Sequence, residues 1–280
     1  MSCYYPLLGL PHGIDAHLTY SSHTLNQRAD PGQAVPLQHR LALALYAPGA
    51  GQWLLRDRLP VEPHGDRVVT ASSYGLAPGE LMVAVPVAAD AFLEPRPCLL
   101  PKPVSKRVDR SPVAERCRLT FHWQGISSSY QGEYPLRMAE LEGGSFLGFD
   151  PLLKPDPAVG RSLVALVTIS RRLDASPLSL ELMDGGSHAL LARHPHQRNR
   201  CTVVEVPAEG FSAGVLVMRG SGWVAIPIVL RLSRAGLPPS MSVEHTHPPS
   251  ELFWEEDRLV GHRQVKRSWL GLGLREELAP

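Results

Sequence analysis

The feature that most restricts what this chain can fold into is a recurrence of short apolar runs closed by glycine, proline or polar turn clusters. LALALY at 41–46, RVVTAS at 67–72, LMVAVPVA at 81–88, LVALVTIS at 163–170 and WVAIPIVLRL at 223–232 are of strand length, and PGAG, PHGD and APGE mark chain reversals between the earlier ones. An amphipathic helix needs a longer periodic segment than any of these provides. Prolines, 27 in 280 residues, forbid long helices, because each removes a backbone donor and clashes with the preceding turn.

RLTFHW at 118–123 alternates strictly, placing Leu119, Phe121 and Trp123 on one face and Arg118, Thr120 and His122 on the other. LSLEL at 178–182, CTVVEV at 201–206 and GVLVM at 214–218 repeat the theme at the spacing of a sandwich or barrel. The expected fold is therefore all-β, as two β-sandwich or jelly-roll-like parts with little helix. Residues 1–38, broken by Pro6, Pro11, Pro31 and Pro36, read as an irregular lead-in. Pro227, inside an apolar run, predicts an edge or bulged strand. One short helix is expected over 249–258, capped by Ser250.

The segment 94–112 holds five prolines and five lysines or arginines, which reads as an extended, solvated connector. Expected boundaries are a β-rich part at 1–95, the connector at 96–112 and a sandwich-like domain at 113–280. Formal net charge is +1, so no global field favours nucleic acid, and no aromatic residues interleave with the basic ones for base stacking. Cys3, Cys98, Cys117 and Cys201 are scattered, as free thiols would be. The N-terminus lacks a basic start followed by a secretory apolar run, and no apolar stretch approaches the roughly 18 residues of a membrane span, so a cytoplasmic location is expected.

Familiar catalytic signatures are absent: there is no GxSxG, GxxxxGK[ST], HExxH or GxGxxG. In SMSVEHTHPPSELFW, at 240–254, strand periodicity puts His245 and His247 on one face, where a pair on one strand can chelate a divalent ion. A third ligand is needed, with Glu251 the nearest candidate. The HPH at 194–196 reads as an exposed loop, and His12, His17 and His23 as surface residues without metal spacing.

The second candidate constellation is HWQGISSSYQGEYPLRM at 122–138, which gathers Trp123, Tyr130, Glu133, Tyr134 and Arg137 around glycines. Aromatic rings there would supply contact area and the charged groups direction, as in sites for carbohydrate or protein ligands. The primary expectation is a binding or assembly module without a catalytic motif. The alternatives are a jelly-roll metal-dependent enzyme using the histidine pair, and a subunit that pairs, for instance as a homodimer, through a sheet edge at 223–232.

Overall fold

The computed structural model describes residues 2–21, 41–62, 66–104, 117–141, 145–150, 159–173, 176–187, 189–206, 216–221, 223 and 225–245. Its strands are β1 (Cys3–Leu8), β2 (Asp15–Ser21), β3 (Leu41–Pro48), β4 (Trp53–Val61), β5 (Asp66–Thr70), β6 (Leu81–Ala88), β7 (Cys117–Trp123), β8 (Ile126–Gln131) and β9 (Tyr134–Pro135). They continue with β10 (Ser145–Asp150), β11 (Val159–Val167), β12 (Leu178–Asp184), β13 (Leu190–His196), β14 (Cys201–Glu205), β15 (Leu216–Ser221), β16 (Ile226–Ser233) and β17 (Met241–His245). A 3-10 turn (Ser72–Tyr74) and one helical turn, α1 (Leu136–Ala139), complete the described elements.

The all-β expectation holds, in four antiparallel sheets. The first sheet runs β4-β3-β6-β1-β9 and the second β5-β2-β7-β8; the third is β14-β11-β16-β17 and the fourth β10-β15-β12-β13. Strand pairing crosses the proline-rich segment: β2 pairs with β7 and β1 with β9, so residues before 95 and after 113 share the first two sheets.

Two apolar clusters hold these layers together. The larger joins Tyr4, Leu43 and Val83 of the first sheet to Leu18 and Phe121 of the second and to Leu163, Ala165 and Ile228 of the third. The smaller joins Val164, Leu166 and Val229 of the third sheet to Leu180, Leu182 and Met218 of the fourth. Side chains alternate across a strand, so β11 feeds successive residues to opposite clusters and the third sheet is covered on both faces. β1 is buried along its length, as are the first six residues of β3 and seven of eight in β6, which is why these read as continuous rather than alternating apolar runs.

The structure corrects several readings of the chain. The described part of the expected irregular lead-in, residues 2–21, is instead regular, because β1 and β2 lie within it, buried and paired. Pro6 fits inside β1 because its partner Val83 is a position where β1 and β6 exchange no hydrogen bonds, as set by Gly9 N–H donating to Glu80 O, and because β9 pairs only with Cys3 and Tyr4 on the other side. β16 is not an edge: it lies between β11 and β17, with Pro227 opposite Leu166 of β11 and the described ladder with β17 running from Ile228 to Leu232. The HPH motif belongs to β13, with His196 only 3% exposed.

The first part of the connector keeps Arg96, Cys98, Leu99 and Lys102 exposed, as a solvated segment would, but buries Pro97, Leu100 and Pro103 against the fold. Pro95 and Pro97 carbonyls accept Leu55 and Trp53 N–H, covering the outer edge of β4, while Leu100 is fully buried and its N–H donates to Arg171 O. Edge strands expose unpaired backbone groups that invite association, and here a proline-rich segment closes one of them. The helix expected over 249–258 lies outside the described residues.

Beside Trp223 the packing leaves no room for a side chain at Gly220, where a Cβ would collide with the indole. Gly220→Ala should therefore destabilise the chain by about 1–3 kcal/mol, read as a lower urea midpoint at unchanged slope.

Candidate functional site

The outer face of the second sheet carries the clearest solvent-accessible concentration of polar side chains among the described residues. Its strands alternate, with Ala16, Leu18, Tyr20, Leu119 and Phe121 in the core, so the residues between them point outward. Register places Thr70, His17, Thr120 and Ser129 in one row across all four strands, and Asp15, His122 and Ser127 in the next. The tight β7–β8 hairpin fixes part of this alignment: Gln124 (φ 48°) and Gly125 (φ 83°) form a two-residue turn with the left-handed backbone that suits twisted strands.

At the centre of the face, Asp15 gathers three hydrogen bonds. Its carboxylate accepts from Ser72 N–H at 3.0 Å and Ser72 Oγ at 2.7 Å, and lies 2.9 Å from His17 Nε2. Ser72 is held in place because the chain leaves β5 through a turn in which Ala71 N–H donates to Ala16 O and Ser73 Oγ donates to Thr70 O. The His17 ring meets His122, with centroids 4.0 Å apart and planes inclined by 38°. Burial opposes ionisation of Asp15, but the bonds from Ser72 and His17 and the His17 charge outweigh it and hold its carboxyl below the ordinary carboxylate value. Burial and the neighbouring His17 hold the His122 imidazole below its ordinary value, against the pull of Asp15.

The aromatic constellation read from 122–138 is dispersed. Tyr134 is fully buried, paired with Tyr4 where β9 meets β1, so its ring has no open face for a ligand. Tyr130 packs against the larger core, with Phe121 at 6.1 Å and His245 at 4.6 Å between ring centroids, and burial pushes its phenol far up. Trp123 packs on the same core; Glu133 is half-buried and Arg137 exposed. Of the expected metal ligands, His245 ends β17 against Tyr130, whereas His247 and Glu251 lie outside the described residues. Met241 and Val243 pack on the core, as the period-two reading of that strand requires. Among the described residues no group of three His, Cys, Asp or Glu side chains is arranged to hold a metal ion, and no helix is long and apolar enough to cross a membrane.

A second polar cluster is internal. His196 on β13 reaches Thr168 Oγ1 and Thr202 Oγ1 through its two ring nitrogens, each at 2.7 Å, and its ring lies 4.4 Å from that of Trp223. A neutral imidazole donates through one nitrogen and accepts through the other, so both hydroxyls are satisfied and the ring ties the fourth sheet to the third. Burial, reinforced by Arg198, brings this imidazole down to about 4.

Sequence reasoning missed the outward face because His17 and His122 are 105 positions apart by their numbers. The available signals were local: DAH puts Asp15 and His17 on one side of a strand, and RLTFHW puts His122 on its polar side. Nothing local says that the two strands are neighbours.

Two tests follow from these clusters. Replacing Asp15 with Asn weakens its charge-assisted bonds on a half-exposed face and should cost about 1 kcal/mol in urea unfolding at neutral pH. For His196, an unfolded chain binds the proton near pH 6.5 and the folded one only near 4, so its contribution is complete above 6.5 and is lost as pH falls between those values. Wild type should lose about 3 kcal/mol more than His196→Gln between pH 7 and pH 4, measured by urea unfolding across that range. Equal pH slopes would remove His196 from the account. No family model, curated protein or solved structure matches this chain.

Proposed function

We propose that this chain is a binding module whose recognition surface is the outer face of the β5-β2-β7-β8 sheet. The observation that supports this is the aligned set of hydroxyl, imidazole and carboxylate groups around Asp15, His17, His122 and Ser72, the first two half-buried and the last two exposed, on a sheet whose other face is packed. A packed scaffold with short polar side chains presents hydrogen-bonding groups at little entropic cost, which favours a ligand that binds by many directed bonds. Small hydroxyls dominate here, and the neighbouring aromatic side chains are turned into the core, so a ligand is held by directed hydrogen bonds, as the hydroxyl-rich surface of a sugar allows, and not by ring stacking. A carbohydrate is therefore the favoured ligand, with a protein partner as the alternative.

Among the described residues no hydroxyl or thiol on this face is hydrogen-bonded to an imidazole. Ser72 Oγ donates to the Asp15 carboxylate, and the threonines that meet an imidazole do so at buried His196. The sheet-edge assembly reading loses its expected strand, since β16 is paired on both sides. The metal-dependent enzyme reading rests on His245, His247 and Glu251, and elemental mass spectrometry of the untagged chain tests it separately. About one metal ion per chain, lost in the His245→Ala, His247→Ala variant, would replace the binding reading.

For the face itself, an array of neutral and acidic oligosaccharides probed with wild type and the His17→Ala, His122→Ala variant is the direct experiment. Retention by wild type with at least a roughly tenfold loss in the variant is expected, from removal of directed hydrogen bonds. No glycan retained, together with a protein crosslinked to a photoreactive residue at Ser127, would assign the face to a protein partner. Equal glycan retention by both chains would move the site elsewhere.

A further inference from the structure

The His17–His122 contact does more than supply hydrogen-bonding groups. Two imidazoles 4.0 Å apart share a single carboxylate, that of Asp15, which lies against His17 and directly across the ladder from His122. One protonated ring is neutralised there; a second would stand 4.0 Å from the first, with no further carboxylate in that row among the described residues. The other charged groups described on this face lie a row or more away. From β7, Arg118 stands level with Thr19; from β5, Asp66 stands level with Ser21 and takes its hydroxyl. From β8 the outward residues are Ser127, Ser129 and Gln131, and the turn after β5 contributes Ser72, none of which carries charge.

We propose that His17 and His122 form a coupled proton pair, in which a charge on one ring, beside the carboxylate the two share, opposes a charge on the other, so that acid turns the centre of this face from neutral or anionic to cationic. On the binding reading above, on which this regulatory consequence rests, ligand retention then changes across the second step. An uncharged hydrogen-bonding ligand loses the acceptor nitrogen of His122, and an anionic one gains a partner. The depression of the His122 imidazole by burial and by its neighbour His17 agrees with this coupling.

The experiment is an NMR titration of the imidazole carbon-bound protons in the ligand-free full chain from pH 8 to pH 4, with His17→Gln and Asp15→Asn beside wild type. Wild type should show the two rings titrating in coupled steps separated by more than about one pH unit. In His17→Gln, His122 should titrate in a single step at higher pH, and in Asp15→Asn both steps should move to lower pH. Two independent curves with one midpoint in wild type would overturn the proposal, as would an unchanged His122 curve in His17→Gln. Should either variant fail to fold, the separation of steps in wild type still decides it. No ligand enters this measurement, so its failure leaves the binding face standing, and a ligand-free glycan array leaves the proton pair standing.

Discussion

The ladder between β2 and β7 is the constraint on which the rest of the structure depends. It joins the N-terminal strands to the chain beyond the proline-rich segment, running from Asp15 opposite His122 to Tyr20 opposite Cys117. Its inner side puts Leu18 beside Leu119 and Ala16 beside Phe121 in the core; its outer side aligns the polar rows. A slip of one residue would bury Asp15 and His17 and expose the apolar residues, so desolvation of the charged and imidazole groups locks the register that creates the site. Structural and functional faces are thus two consequences of one set of hydrogen bonds.

Proline, abundant in this chain, shapes where the sheets can end. Pro60 and Pro195 lie in the edge strands β4 and β13, where a missing donor costs no ladder bond on the open side. Pro86 lies beyond the end of the β1–β6 ladder, and its carbonyl takes the N–H of Val104 instead. The 95–104 segment continues this use: unable to pair as a strand of its own, it lies across the first sheet's edge, while Arg171 receives Trp53 Nε1–H on its carbonyl and joins Glu140 at 3.0 Å. Backbone satisfaction explains why this segment packs where it does, since its two basic side chains, Arg96 and Lys102, stay exposed.

The third sheet links this arrangement to the C-terminal layers. Because β11 supplies alternate residues to two clusters, any polar group on its inner or outer side needs a partner. The Thr168–His196–Thr202 bridge meets that need with a neutral ring. His17 and His122 stand in the opposite environment, at the water's edge beside a carboxylate. Burial holds His196 neutral, whereas His17 and His122 keep access to water, and that difference in surroundings separates the two clusters.

Taken alone, the amino-acid order determined the all-β class and the central strands, since runs such as LMVAVPVA and the alternation in RLTFHW state their own length and facing. Weaker were β4, whose Arg56, Asp57 and Arg58 hide an edge strand, and β1 and β2, whose prolines and polar neighbours suggested irregular chain. The aromatic cluster of 122–138 reads as a surface only while sequence proximity stands for spatial proximity; Tyr134 is instead fully buried and Tyr130 packs against the core. Which strand lies beside which was decided only by tertiary structure. Long-range antiparallel pairing is set by complementary burial on both partners, so no local pattern could bring Asp15, His17 and Ser72 together with His122.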